Sequence, residues 1–162
     1  MIRDGHYLGA HSDKHLLYAD WTRRDSTLVS RDSFETDLKA NYQIMKSMYG
    51  ITRKQASVFL PPYEWHNPDI VNWTSDMGFT LINLSPGPGT ARDYTWPELG
   101  QRYTTSETII RDLLNYEAAH TLNGIILLIH LGTDPRRSDK LYDQLGEVLD
   151  DLVYKGYQFR SF

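Results

Sequence analysis

The sequence predicts an α/β fold with a mostly parallel sheet, open or closed into a barrel. Three observations predict it. Short apolar runs alternate with amphipathic stretches at helical spacing. The apolar runs are uninterrupted, as strands are when helices cover both faces of a sheet. Polar and unusual residues gather where those runs end, at 11–15, 61–65, 85–96 and 130–134. In parallel α/β folds the carboxyl ends of the strands share one face, so these four segments are expected to converge on one mouth.

The elements follow in order. Residues 7–11 are a short apolar strand ending in a histidine. "SFETDLKANYQIMKSMYG" (33–50) reads as a helix capped by Ser33, with Phe34, Leu38, Tyr42 and Met45 recurring on one face and Gly50 as the stop. "ASVFLPPY" is a strand closed by two prolines, which cannot continue a ladder. "NPDIVNWTSDMGF" is a helix with Asn67 at the cap, Pro68 at its first position and Gly78 at its end. "FTLINL" is the next strand, and the Pro/Gly-rich "SPGPGTARDYTWPELGQRY" is a long irregular loop. "TSETIIRDLLNYEAAH" has a capping signature and helical spacing. "NGIILLIH" reads as the most buried strand, "SDKLYDQLGEVLDDLVYKG" as a helix and "YQFRSF" as a closing strand.

Composition bounds the function. A chain of 162 residues, 40% hydrophobic and 23% charged, forms one globular domain, here taken as residues 1–162. Net charge is -4 and the basic residues are scattered, which argues against a nucleic-acid partner. No apolar run reaches the length of a membrane span. With no cysteine, thiolate metal sites, disulfides and cysteine nucleophiles are excluded. The prolines of "SPGPGT" occupy positions where a phosphate cradle needs N–H donors, so that reading is set aside.

Three segments carry candidate chemistry. In "HSDKH", His11 and His15 are four apart; on one helical turn their rings face the same way and can share a metal ion, although two imidazoles fall short of the three protein ligands of a catalytic zinc. On spacing alone, two solvent-facing histidines in a loop after a strand are the plainer reading. Asp13 would point away from the shared face if the segment is helical. His130 emerges from the apolar run "IILLIH", where an imidazole is suited to proton transfer, or where the backbone satisfies a core histidine. Asp93 and Asp134 are the candidates to orient it, with Asp134 better suited to capping the following helix. The rigid turn at Pro61, Pro62 and Tyr63 can present backbone N–H groups to an oxyanion, or can be purely structural.

Taken in order, these segments resemble the polysaccharide deacetylase superfamily, the carbohydrate esterase family four enzymes. "GHYLGAHSDKH" (5–15) matches that family's metal motif throughout, "LPPY" (60–63) stands for its Arg-Pro-Pro-Tyr, Leu128-Ile129-His130 for its Leu-x-His, and Gly156-Tyr157-Gln158-Phe159 for its closing motif. The resemblance implies a distorted (β/α) barrel and hydrolytic removal of acetyl groups from N- or O-acetylated polysaccharide, with water activated at a divalent metal, usually zinc. His11 and His15 would be metal ligands, and His130 the general acid partnered by Asp93. The Tyr63 N–H would stabilise the oxyanion. Pro61, Pro62, Trp65 and Trp96 would line the sugar site. Family habit places such proteins in the periplasm or at the cell surface.

Departures from the family pattern set further expectations. The Asp-Asp segment that supplies the base and third ligand would lie before residue 5, so about two βα units of some 30 residues each are expected to be missing. The isolated chain would then be nearly inactive and would self-associate through an exposed sheet edge. Leu60 replaces the usual arginine, and Asp93 to Trp96 only loosely echo the Asp-Trp motif. The alternative is a non-catalytic carbohydrate-binding or accessory module on the same fold.

Overall fold

The computed structural model describes residues 2–162, which form two compact units, 2–83 with Ser161–Phe162, and Leu84–Arg160. Among the described residues no helix is long and apolar enough to cross a membrane.

In the first unit, α1 (Arg31–Tyr49) is packed beside a short parallel sheet of β1 (Val58–Phe59) and β2 (Thr80–Leu81), with Val58 opposite Thr80 and Phe59 opposite Leu81. Ala10 adds a parallel bridge to Phe59, so residue 10, β1 and β2 run side by side. The sheet is therefore parallel as expected, but far shorter, and among the described residues no barrel is seen. Prolines 61 and 62 stop β1 at once, because proline brings no ladder donor. Gly9 permits the close approach of the first segment: a Cβ there would sit 3.2 Å from the Val58 carbonyl oxygen and 3.0 Å from the Tyr7 ring.

Helix α1 begins earlier than the sequence predicts. Its cap is Ser30, in extended conformation, whose Oγ accepts the Ser33 N–H; Ser33 is the partner of the cap. Gly50 ends the helix in the left-handed conformation, its N–H returning to Lys46 and Met45. The predicted stripe of Phe34, Leu38, Tyr42 and Met45 is buried against Tyr18, Phe59, Ile70 and Phe79. Helix α2 (Pro68–Asp76) starts as the sequence predicts, with the Asn67 side chain accepting the Ile70 N–H.

The second unit carries α3 (Ser106–His120), capped by Thr105, and α4 (Leu145–Tyr154). Leu113, Leu122, Val148 and Leu152 form its apolar centre. Three expectations fail here. "NGIILLIH" forms no strand: Ser85 N–H bonds the Ile126 carbonyl, but the Ser85 hydroxyl then takes the Ile126 N–H, so a side chain ends the ladder where the backbone would continue it. "YQFRSF" is not a strand either; the Tyr157 hydroxyl is held by Glu117 and Leu122, and Phe159 lies exposed. The helix expected from Ser138 is broken, with a 3₁₀ turn at Leu141–Gln144 before α4. Its first residues are engaged elsewhere, Asp139 by Ser106 and Arg137, and Lys140 by the carbonyls of Thr133 and Asp134. The loop 85–103 is irregular as expected, apart from 3₁₀ turns at Thr90–Tyr94 and Pro97–Arg102.

Candidate functional site

In the first unit the loops after Ala10 and Phe59 leave adjacent parallel segments at their carboxyl ends. The "HSDKH" segment is a bend and not a helical turn, with Ser12 at φ 76° and His15 at φ 52°. Left-handed backbone at two non-glycine residues costs about 1–3 kcal/mol each and persists only where neighbours enforce it. The enforcing group is Asp37 of α1, which is buried. Its carboxylate accepts from Ser12 Oγ (2.7 Å), Lys14 N–H (2.8 Å) and Tyr18 Oη (2.7 Å). The Ser12 hydroxyl in turn accepts the His15 N–H (2.9 Å), and Asn41, one turn along α1, accepts the His11 N–H (3.1 Å).

This loop brings the two rings together by a route the spacing argument did not foresee. The centroids of His11 and His15 are 5.1 Å apart, edge to face. His11 Nδ1 lies 2.9 Å from the Leu60 carbonyl oxygen. A carbonyl only accepts, so Nδ1 carries the proton and Nε2 presents its lone pair, as metal-binding histidines do. Burial, and then the neighbouring His11, lower the pKa of His15 below the ordinary imidazole value, which favours the neutral donor form. The pair fits two positions of a metal's donor set. Among the described residues no group of three His, Asp or Glu side chains gathers to complete one, and Asp13 is exposed.

Pro61 and Pro62 are buried and lead into a strained turn, with Tyr63 at φ 59° and Glu64 at φ 54°. The hydrogen bonds that close the turn come from the Glu64 and Trp65 N–H groups, not from Tyr63. The turn sets the Tyr63 ring 4.5 Å from His15. Trp21 packs against Tyr63 at 5.7 Å and against Trp65 at 5.4 Å, and the Arg24 guanidinium lies over Trp65 at 4.2 Å.

In the second unit His130 is bound twice by one carboxylate. Asp93 Oδ2 accepts its backbone N–H at 2.7 Å, and Oδ1 lies 2.6 Å from Nδ1. Asp93 is fully buried while the His130 side chain is about a third exposed. The carboxylate, which only accepts, fixes the proton on Nδ1. Asp134, in contrast, caps no helix: it folds back on Arg136, which holds its pKa down to about 2. Trp96 is half-buried, with the Arg136 guanidinium 4.2 Å above its ring.

Sequence reasoning missed Asp37, Asn41 and Trp21. The first two were detectable: Phe34, Asp37, Leu38, Asn41, Tyr42 and Met45 form one helical stripe, and polar residues inside an apolar stripe need buried partners. Trp21 sits in a stretch with no periodic signal.

Comparison with known proteins bears on the fold and the family. No curated protein matches the chain. Solved structures do. The Bc1960 peptidoglycan N-acetylglucosamine deacetylase superposes over 99% of this chain with a TM-score of 0.73 at 18% identity. The peptidoglycan deacetylase PdaC from Bacillus subtilis superposes over 98%, at 0.66 and 22% identity. BA3943 from Bacillus anthracis, a family-four pseudoenzyme, superposes over 97%, at 0.66 and 16%. The chain spans 63%, 62% and 45% of the lengths of these three. At such identities the likeness is one of fold. The sequence model of the polysaccharide deacetylase family matches residues 1–82, the half that holds both histidines and the Pro-Pro-Tyr turn, and the chain belongs to that family.

Proposed function

We propose that this chain carries the imidazole pair and the proton donor of a metal-dependent deacetylase acting on acetylated polysaccharide. The observation that carries this reading is the His11–His15 pair, with His11 Nδ1 tied to the Leu60 carbonyl so that Nε2 is the donor atom. A divalent metal held by these two rings, zinc by the chemistry of its donors, would polarise the acetyl carbonyl. The reading requires a further acidic donor and a base beyond the two histidines. Water adds to the carbonyl carbon, the bond to the sugar nitrogen or oxygen breaks, and acetate leaves. His130, its ring aligned by Asp93, gives the departing amine or alkoxide its proton from Nε2. The Tyr63 N–H serves the oxyanion, with Pro61 and Pro62 stiffening its turn and Trp65 and Trp96 beside the sugar. Peptidoglycan deacetylases among the similar structures support a cell-wall substrate and an extracellular setting.

Cobalt or zinc titration of the chain by calorimetry tests the central point. One ion per chain is expected, and His11→Ala or His15→Ala should abolish it; undiminished binding in those variants overturns the assignment. In the full-length protein, His130→Ala should lower acetate release by about 10²–10⁴-fold with metal retained.

A second reading, an accessory module without catalysis, is favoured by Leu60 in the place of the family's arginine and by the likeness to a pseudoenzyme. Metal-dependent acetate release from the full-length protein excludes it.

A further inference from the structure

The first unit has a cleft of about 430 Å³ away from the histidine pair. Its walls come from α1 (Lys39, Tyr42, Gln43 and Lys46), from residues 51–54 shortly before β1, and from Phe79 just before β2. It therefore lies toward the amino ends of the two strands, whereas the loop with His11 and His15 leaves at the carboxyl end of its segment. The chain has a net charge of -4, yet four cations line this cleft, Lys39, Lys46, Arg53 and Lys54, and no carboxylate does. Glu35 neutralises Lys39 at 2.8 Å. Lys46, in the last turn of α1, suits the negative end of that helix. Arg53 and Lys54 have no carboxylate partner among the described residues. Like charges gathered round one concavity raise its potential and attract an anion.

Arg53 is held in place before any ligand arrives. Its guanidinium lies 4.4 Å over the Phe79 ring, and Phe79 stacks on Tyr42 at 4.5 Å with the ring planes 7° apart. The Tyr42 hydroxyl donates to the Ala56 carbonyl, and one guanidinium nitrogen of Arg53 donates to the Met77 carbonyl. The loop beneath is closed by the Gln55 and Ala56 N–H groups, which both donate to the Thr52 carbonyl at 3.0 and 3.1 Å. One bond to Met77 leaves further N–H donors on the planar fork, which suits two oxygens of one phosphate. Fixing the fork in advance lowers the ordering cost of binding. The rest of the cleft is apolar, with Ile51 and Phe79 in its walls, and its volume is that of a small-molecule site. We infer that this cleft is a second binding site, for a small organic phosphate whose phosphate sits on Arg53 beside Lys46 and Lys54 and whose apolar body lies against Ile51 and Phe79. The site is separate from the imidazole pair and does not depend on the deacetylase reading.

Calorimetry on the intact chain with phenyl phosphate tests it, with inorganic phosphate and benzyl alcohol as the two halves of the probe. Phenyl phosphate is expected to bind once per chain and more tightly than either half, and more weakly as salt rises. Arg53→Ala should weaken it about tenfold, and Arg53→Lys nearly as much, because an ammonium keeps the charge and loses the fork. Arg53 also ties the loop to Met77, so circular dichroism checks that each variant is folded. The double variant Lys46→Gln, Lys54→Gln breaks no bond of the fold and should weaken binding about tenfold as well. His11→Ala should leave it unchanged. A chain that does not bind phenyl phosphate, or binding that both the Arg53 variants and the double lysine variant leave intact, overturns the site. Inorganic phosphate binding as tightly as phenyl phosphate overturns the assignment of an organic ligand. None of these outcomes touches the histidine pair, whose metal titration is read separately.

Discussion

Asp93 holds His130 at two points, the ring Nδ1 at 2.6 Å and the backbone N–H at 2.7 Å. One buried carboxylate thus fixes both where the histidine leaves the chain and which way its ring turns. Asp93→Asn replaces one acceptor oxygen with a donor and sets an amide N–H against a ring N–H or an amide N–H. Acetate release by the full-length protein should fall about 10²-fold. The Nδ1 proton resonance of His130 should shift or vanish, while metal binding at the His11–His15 pair stays as it was.

Asp37 is the keystone of the histidine loop. Asp37→Ala leaves the hydroxyls of Ser12 and Tyr18 and the Lys14 N–H without an acceptor. A loss of about 3 kcal/mol or more in denaturant unfolding is expected. Metal affinity should fall as well, because the left-handed residues Ser12 and His15 lose the group that enforces them. Asp37→Asn, which retains one acceptor oxygen, should fall between.

Arg137 is fully buried and spans the carbonyls of Thr95, Thr104 and Asp139 together with the Ser106 hydroxyl. Arg137→Met should destabilise the second unit by about 3–5 kcal/mol, since it strands several buried acceptors. Arg137→Lys should rescue little: a single ammonium cannot reproduce the planar fork. Urea unfolding followed by circular dichroism reads both.

Alkaline pH should unfold the protein. Burial raises the pKa of the Tyr18 and Tyr42 hydroxyls well above the ordinary value of 10.0. The folded pKa is raised, so the contribution to stability is complete below pH 10 and declines above it, where only the unfolded chain releases these protons. Unfolding midpoints should therefore drop as pH rises past about 10. Absorbance at the phenolate band should show these two tyrosines ionising only with unfolding.

Much of the site was legible in the sequence because its signals are local. The cap at Asn67, the stripe from Phe34 to Met45, the stop at Pro61 and the motif around His11 and His15 each depend on neighbours in the chain. Asp93 was named as the partner of His130, and the structure puts them in direct contact. The short sheet was not legible. The apolar run before His130 has the composition of a strand, yet strand formation needs a second backbone at the right register, and Ser85 Oγ takes the donor that a ladder would use.

By itself the sequence determined residue chemistry and local periodicity: an α/β chain with two histidines that can share an ion and a third at the end of an apolar run. Only the tertiary structure decided that the first pair meets across a strained bend and not along a helix. The physical reason is that the groups imposing the bend, Asp37 and Asn41, lie 25 and 30 residues from the residues they hold, Ser12 and His11. A side chain at that remove leaves no mark on the spacing of the motif it shapes.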